Sequence, residues 1–185
     1  MSATITVEQA AAAIHQGQVI AYPTEAVWGL GCDPFRREAV ERLLALKQRP
    51  QAKGLILVAA SLEQLQPLLA ELTPEQWQQL ASTTAIPTTW LVPFNATTVP
   101  DWIVGEHALL AVRISSHPLV RRLCELAGMP LVSSSANPQA LPAARSLAEV
   151  QAYFADVVPC CDGELGGASR PSTIRNLLTG QILRE

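Results

Sequence analysis

Short apolar runs that are typical of buried β-strands alternate along this chain with segments of helical periodicity. Strands are predicted at residues 19–22, 55–59, 90–92, 109–114, 131–134, 157–161, 172–176 and 181–184. Helices are predicted at residues 7–16, 37–47 and 117–127, with further helix starts at Ser61, Thr73 and Ser146. This alternation predicts an α/β fold, in which a twisted mixed sheet carries helices on its faces. The length of 185 residues fits a single domain spanning 1–185.

The segment from residue 24 to residue 35 is predicted to be a loop, because it follows a strand that ends at Pro23 and contains Gly29 and Gly31. Two glycines do not make a dinucleotide fingerprint, which needs a third glycine and a following helix, and the chain has no P-loop. In α/β folds of this kind, binding residues come from the loops at strand ends.

Three cations fall within seven residues where the second predicted helix ends: Lys47, Arg49 and Lys53. A solvated helix C-terminus, where cations meet the negative end of the helix dipole, would account for Lys47. It accounts poorly for Arg49 and Lys53, because Pro50 breaks the helix and redirects the chain. A phosphate site, in which a planar guanidinium and point charges converge on an anion, would account for all three. On the residues alone both interpretations stay open.

Polar groups also interrupt or follow two of the apolar strands. Arg113 lies inside the apolar run 110–114, so it either faces solvent or clamps a carboxylate. Ser133, Ser135 and Asn137 follow another strand, where they form either a turn or a set of polar ligands that point the same way.

Composition narrows the classes of function. The formal net charge of -3 argues against a strongly basic nucleic-acid coat, although it does not exclude a basic cleft. No apolar run is long enough to span a bilayer and no signal peptide is visible, so a soluble cytoplasmic protein is expected. Cys32, Cys124, Cys160 and Cys161 lack CxxC spacing and are expected to be reduced core thiols, with a catalytic Cys32 as the alternative. Neither a metal-ligand pattern among the histidines nor a Ser-His-Asp order is present.

Taken together, five motifs in order resemble the Sua5/YciO/YrdC family, and in particular its short bacterial form. They are PTEAVWGLGCD at 23–33, KQRP at 47–50, AVR at 111–113, SSSAN at 133–137 and PSTIRNLLTGQILR at 171–184. Each motif is weak, but their order is specific and the resemblance covers residues 19–184. It implies a YrdC-like twisted α/β fold with a large concave cavity lined by positive charge.

The resemblance also implies an activity, that of a nucleotidyltransferase. Such an enzyme uses ATP and Mg2+ to condense L-threonine with bicarbonate or CO2 into threonylcarbamoyl-adenylate and diphosphate. A partner tRNA threonylcarbamoyl transferase complex then moves the threonylcarbamoyl group onto adenosine 37 of tRNAs that read codons beginning with A, giving t6A. Direct contact with tRNA is an open possibility, and a monomer is expected.

By the same resemblance, nine side chains receive roles. The expected ATP site consists of Lys47, Arg49, Lys53, Ser135, Asn137 and Arg184, of which Lys47 and Arg49 are the expected catalytic residues. The expected threonine pocket consists of Arg113, Ser133 and Ser172. No metal ligand from the protein is implied.

One stretch departs from the family pattern, because the usual Trp-Pro-Gly-Pro is replaced here by Thr84-Ala85-Ile86-Pro87. That loop is expected to be reshaped. Two alternatives to the synthase remain: an RNA-binding or ribosome-maturation module of the same fold, and a paralogue that acts on a different small carboxylate.

Overall fold

The computed structural model describes residues 4–82 and 86–184, and the part of the chain it describes contributes eight strands to one sheet. The strands are β1 (Ile20–Pro23), β2 (Trp28–Gly31), β3 (Ile56–Ala59), β4 (Thr88–Val92), β5 (Leu110–Ile114), β6 (Leu131–Ser135), β7 (Thr173–Asn176) and β8 (Ile182–Arg184). Their order across the sheet is β1-β2-β6-β3-β5-β4-β7-β8. The pairs β3–β5 and β4–β7 are parallel and the other neighbours are antiparallel, so the predicted mixed sheet is confirmed.

Helices flank this sheet, as predicted. They are α1 (Val7–His15), α2 (Arg37–Lys47), α3 (Leu62–Leu65), α4 (Pro74–Ala81), α5 (Asp101–Val104), α6 (Pro118–Ala127) and α7 (Leu147–Phe154), with 3-10 turns at Gln51–Lys53, Gln66–Leu68 and Ala155–Val157. Full capping boxes form at Thr6, Thr73 and Ser146. At Ser61 the cap differs, because the Gln64 side chain accepts from the Ala60 N–H instead of the Ser61 N–H.

The loop predicted over residues 24–35 is wrong in its middle, where Trp28–Gly31 forms β2 and pairs with both β1 and β6. The physical reason is the position of Tyr22, which lies opposite Gly29 in the register. A Cβ on Gly31 would lie 2.6 Å from Cε1 of Tyr22, and one on Gly29 would lie 3.7 Å from Cε2. The glycines therefore leave room for a buried ring over the strand and do not mark a loop.

The strand predicted over residues 157–161 is also wrong. Residues Ala155–Val157 form a 3-10 turn, and the segment then makes only isolated bridges, from Cys160 to Ala21 and from Cys161 to Ile5. Thr84 and Ala85, in the loop that differs from the family pattern, lie outside the described residues. Pro87, just beyond them, borders the cavity described below.

Buried apolar side chains form one cluster on each face of the sheet. Helices α1 and α6 pack together and cover one cluster, which includes Ile20, Tyr22, Val58 and Leu131. All four cysteines are buried and unpaired, as expected of core thiols. Cys32 is completely buried, and burial raises the pKa of its thiol, so the structure favours a core thiol over the catalytic alternative. No helix in the described ranges is long and apolar enough to cross a membrane.

The contact between Tyr22 and Gly31 generates a test. In Gly31→Ala the new methyl would lie 2.6 Å from both the Tyr22 ring and the carbonyl oxygen of Val132, so backbone must shift. We expect a loss of about 1–3 kcal/mol in the free energy of unfolding, measured by chemical denaturation. Gly29→Ala is the matched control, because its nearest contact is the Thr24 methyl at 3.2 Å. Equal stability of the two variants would contradict this account of the glycines.

Candidate active site

A cavity of about 640 Å3 opens on one face of the central strands. Successive side chains of a strand point to opposite faces, so alternate positions of neighbouring strands form its floor. The floor residues are Ile56 of β3, Leu91 of β4, Ala111 and Arg113 of β5, Ser133 of β6 and Ile174 of β7. Ser133 and Ser135 point into the cavity together, as their spacing predicted.

The charged groups that border the cavity are mostly cations. The side chains of Arg49, Lys53, Arg113, Arg170 and Arg184 line it, and Glu25 is the single acid among the described lining residues. Seven of the nine expected site residues border this space, namely Arg49, Lys53, Arg113, Ser133, Ser135, Ser172 and Arg184. Lys47 and Asn137 do not line it and lie behind its wall.

Arg49 organises one end of the cavity. Its guanidinium Nη2 donates to the carbonyl oxygens of Lys53 at 3.1 Å and Gly54 at 3.0 Å, so it closes the turn that Pro50 begins. Burial lowers the pKa of Arg49. Lys53 is exposed, and within the described ranges its ammonium has no protein acceptor. This end therefore presents a guanidinium and an unpaired ammonium just before β3.

Lys47 supports the same end of the cavity from behind, because the antiparallel register of β3 and β6 brings Ser135 beside Gly54. Its side chain is 4% exposed, and Nζ donates to the carbonyl oxygen of Ser135 and, at 2.9 Å, to that of Asn137. The alternative of a solvated helix end is therefore wrong for Lys47. Burial, together with the nearby charge of Arg49, lowers its pKa to about 8.

Arg113 lies at the other end of the cavity and forms a buried ion pair. Its Nη1 donates to Oε2 of Glu25 at 2.5 Å, and Arg113 is only 7% exposed, so the solvent-facing alternative is wrong. Oε1 of Glu25 accepts from the Ser115 hydroxyl at 2.7 Å and from the Ser116 N–H at 3.3 Å. Burial alone would raise the pKa of Glu25, but the charge of Arg113 and these hydrogen bonds hold it below its ordinary value.

Ser172 and Arg184 complete this end. Arg184 donates through Nη2 to the carbonyl oxygen of Ser172 at 2.7 Å, and the Ser172 hydroxyl lies 2.7 Å from that of Thr89. Burial and the charge of Arg113 lower the pKa of Arg184. By the register of β3 and β5, Gly54 and Arg113 are about four residues apart along the strands, or roughly 13 Å. The cavity thus has two separate cationic ends.

Sequence reasoning missed two charged groups of the site. Glu25 lies within a motif but receives no role from the sequence, because its partner Arg113 is 88 residues away in the chain. Arg170 precedes the last motif and carried no signal of its own.

Comparison with known proteins decides the family. The Sua5, YciO and YrdC family model, described as "Telomere recombination", matches residues 12–185. This chain belongs to the Sua5/YciO/YrdC family. The resemblance inferred from the five motifs is confirmed.

Relatives within the Sua5/YciO/YrdC family match the chain over its length. A protein named threonylcarbamoyl-AMP synthase from Chromohalobacter salexigens is 54% identical over 178 residues, covering 96% of each chain. One of the same name from Pseudomonas aeruginosa is 52% identical over 186 residues, covering 100% of this chain and 99% of the relative.

Solved structures of the family share the fold. P. abyssi Sua5 in complex with L-threonine superposes with a TM-score of 0.83 at 33% identity, covering 95% of this chain and 52% of that one. This chain therefore corresponds to about half of that Sua5. E. coli YciO superposes with a TM-score of 0.80 at 22% identity, covering 97% of this chain and 88% of YciO, which shows the shared fold.

The buried ion pair can be tested by removing its acid. Glu25→Gln leaves the Arg113 charge buried without a counter-ion, so we expect a loss of about 3–5 kcal/mol at pH 7 in denaturant unfolding. Because the folded-state pKa of Glu25 is lowered, the difference between wild type and variant should shrink as the pH falls through that pKa, below 4.5. Glu41→Gln, which breaks the exposed Arg37–Glu41 pair, is the control and should have a much smaller effect. A loss no larger than that of the control would contradict the structure.

The lowered pKa of Lys47 gives a second test. Between pH 8 and the ordinary pKa of 10.5, the unfolded chain holds the Lys47 proton more firmly than the folded protein does. The stability of wild type relative to Lys47→Met should therefore rise over this range, measured by denaturant unfolding at several pH values. A flat difference would show that Lys47 titrates at its ordinary pKa.

Proposed function

We propose that this protein is an L-threonylcarbamoyladenylate synthase, a nucleotidyltransferase. It condenses L-threonine with bicarbonate or CO2 and ATP, and it releases threonylcarbamoyl-AMP and diphosphate. The observation that carries the proposal is one cavity with two cationic ends, in a chain that matches threonylcarbamoyl-AMP synthases over nearly their whole length.

The two ends suit the two anionic substrates. Arg49 and Lys53 bind the triphosphate, and Ser135 contacts the nucleotide. Lys47 acts from behind, because its hydrogen bonds fix the backbone that carries Ser135 and Asn137. In this proposal Lys47 is a positioning residue.

The threonine end combines a rigid floor with nearby hydroxyl groups. Arg113 binds the threonine carboxylate, and Glu25 fixes the plane of its guanidinium. The hydroxyls of Ser133 and Ser172 contact the amino acid. Arg184 donates to the Ser172 carbonyl at this end, and in this proposal its remaining donors contact the nucleotide.

The chemistry needs charge screening more than it needs a nucleophile from the protein. An oxygen of N-carboxylated threonine attacks the α-phosphorus of ATP, and the bond to the leaving diphosphate breaks. Both reactants are anions, so fixed cations lower their repulsion and orient them for attack.

Mg2+ fits this site as part of the nucleotide substrate. Within residues 4–82 and 86–184 there is no group of three or more His, Cys, Asp or Glu side chains that could hold a metal ion. Mg2+ commonly keeps several waters and binds through substrate phosphates, so ATP itself would bring it. Bound there, it would screen the charge of the phosphates.

The product is a reactive mixed anhydride, which needs an acceptor. We assign this role to a tRNA threonylcarbamoyl transferase complex that acts on adenosine 37, with the synthase acting as a cytoplasmic monomer. Direct tRNA binding is not required for the step proposed here.

The reaction itself is the first test. Diphosphate release by the purified protein should require ATP, L-threonine and bicarbonate together, measured by a coupled diphosphate assay. Replacing threonine with serine should lower kcat/KM, because the methyl group that serine lacks is worth about 1–3 kcal/mol of discrimination, and alanine, which lacks the hydroxyl as well, should be a poorer substrate still. Release that is independent of threonine would contradict the assignment, and a preference for another amino acid would favour the paralogue.

The phosphate end can be tested with Lys53→Ala. The side chain is exposed and has no acceptor among the described residues, so the fold should be unaffected. Losing one charge-assisted contact to phosphate should raise the KM for ATP about tenfold, with little change in the KM for threonine. Arg122→Ala removes an exposed charge from α6, away from the cavity, and should leave both constants unchanged. An unchanged KM for ATP in Lys53→Ala would remove Lys53 from the site.

A further inference from the structure

The segment 162–171 is attached to the turn that carries Glu25. The N–H of Gly166 donates to the carbonyl oxygen of Thr24 at 3.0 Å, and the N–H of Ala168 donates to that of Glu25 at 2.8 Å. These bonds hold the end of the segment against Glu25, which pairs with Arg113 of β5.

Arg170 follows this attachment and borders the cavity two residues before Ser172. Its situation differs from that of the two other arginines at this end. Arg113 pairs with Glu25, and Arg184 donates to the Ser172 carbonyl. Across the described residues, the Arg170 guanidinium makes no hydrogen bond or ion pair, so its donors remain available to a ligand.

Charge balance indicates what that ligand is. Arg113 and Arg170 both border the cavity, where Glu25 is the single acid among the described lining residues, and Arg184 is assigned to the nucleotide. Free threonine is a zwitterion and brings a single carboxylate. A site built for threonine alone would leave an arginine without a counter-ion.

The reaction creates the second carboxylate. The amino group of threonine loses a proton, and its nitrogen forms a bond to the carbon of bicarbonate while water departs. The zwitterion and bicarbonate thus give N-carboxythreonine, which carries two negative charges, together with water and one proton. Each of its carboxylates suits one planar guanidinium fork.

We propose that Arg170 binds the newly formed N-carboxylate of threonine, and before it the bicarbonate from which it is made. The assignment rests on the proposed function. Arg113 holds the carboxylate that threonine brings, so the two arginines divide the dianion between them.

The test is steady-state diphosphate release in CO2-depleted buffer with added bicarbonate, at saturating ATP and threonine. Arg170→Ala should raise the KM for bicarbonate about tenfold or more, because a charge-assisted hydrogen bond is lost. Arg170→Lys keeps the charge without the fork and should recover part of this loss. Arg122→Ala, on the outer face of α6, should match wild type.

A second measurement separates a ligand contact from damage to the segment. Threonine binding to Arg170→Ala, measured by calorimetry without bicarbonate or ATP, should stay within about twofold of wild type. An unchanged KM for bicarbonate overturns the assignment, as does a rise in the threonine Kd or the KM for ATP as large as the bicarbonate effect. An inactive wild-type protein would overturn the proposed function as well, whereas an active wild type with an unaffected variant overturns the role of Arg170 alone.

Discussion

The buried ion pair between Glu25 and Arg113 joins three parts of the chain at one point. Arg113 belongs to the centre of the sheet, Glu25 to the turn between β1 and β2, and the Glu25 carbonyl accepts from Ala168 in the segment before β7. A buried pair is weak evidence for stability, because apolar residues of similar size often serve equally well. Its value here lies in orientation, since it fixes a guanidinium plane at the floor of a cavity.

Repulsion between cations is the cost that this arrangement carries. The charge of Arg49 contributes to the lowered pKa of Lys47, and that of Arg113 to the lowered pKa of Arg184. In each case burial is the larger cause, so these groups are held where their charged forms are disfavoured. Perturbed pKa values of this kind cluster at functional sites, although structural hydrogen-bond networks also produce them. Arg49 and Arg184 both line the cavity, so anionic substrates bound there would offset their charges, whereas the ammonium of Lys47 is stabilised by the carbonyl oxygens behind the wall.

Local signals made much of the fold predictable, and non-local contacts explain the failures. The starts of α1, α4 and α7 follow from capping residues within four positions of one another. Strand β2 was missed because its glycines are explained by the ring of Tyr22, on a neighbouring strand. The direction in which a side chain is buried also depends on residues far away in the chain. The motif placed Lys47 at the site, but only the fold shows that its ammonium donates to the backbone carbonyls of Ser135 and Asn137.

The position of charged groups in the fold also depends on contacts between residues that are far apart in the chain. From the sequence, a formal net charge of -3 and a cluster of cations could be reconciled only by supposing a local basic site. The structure identifies the groups that create it, since five cations and one acid border a volume of about 640 Å3 among the described residues. That volume is typical of small-molecule pockets and suits a nucleotide with an amino acid. An RNA backbone would instead need cations spread along a surface, and here they converge in a cleft. The arrangement therefore favours the synthase over the RNA-binding module.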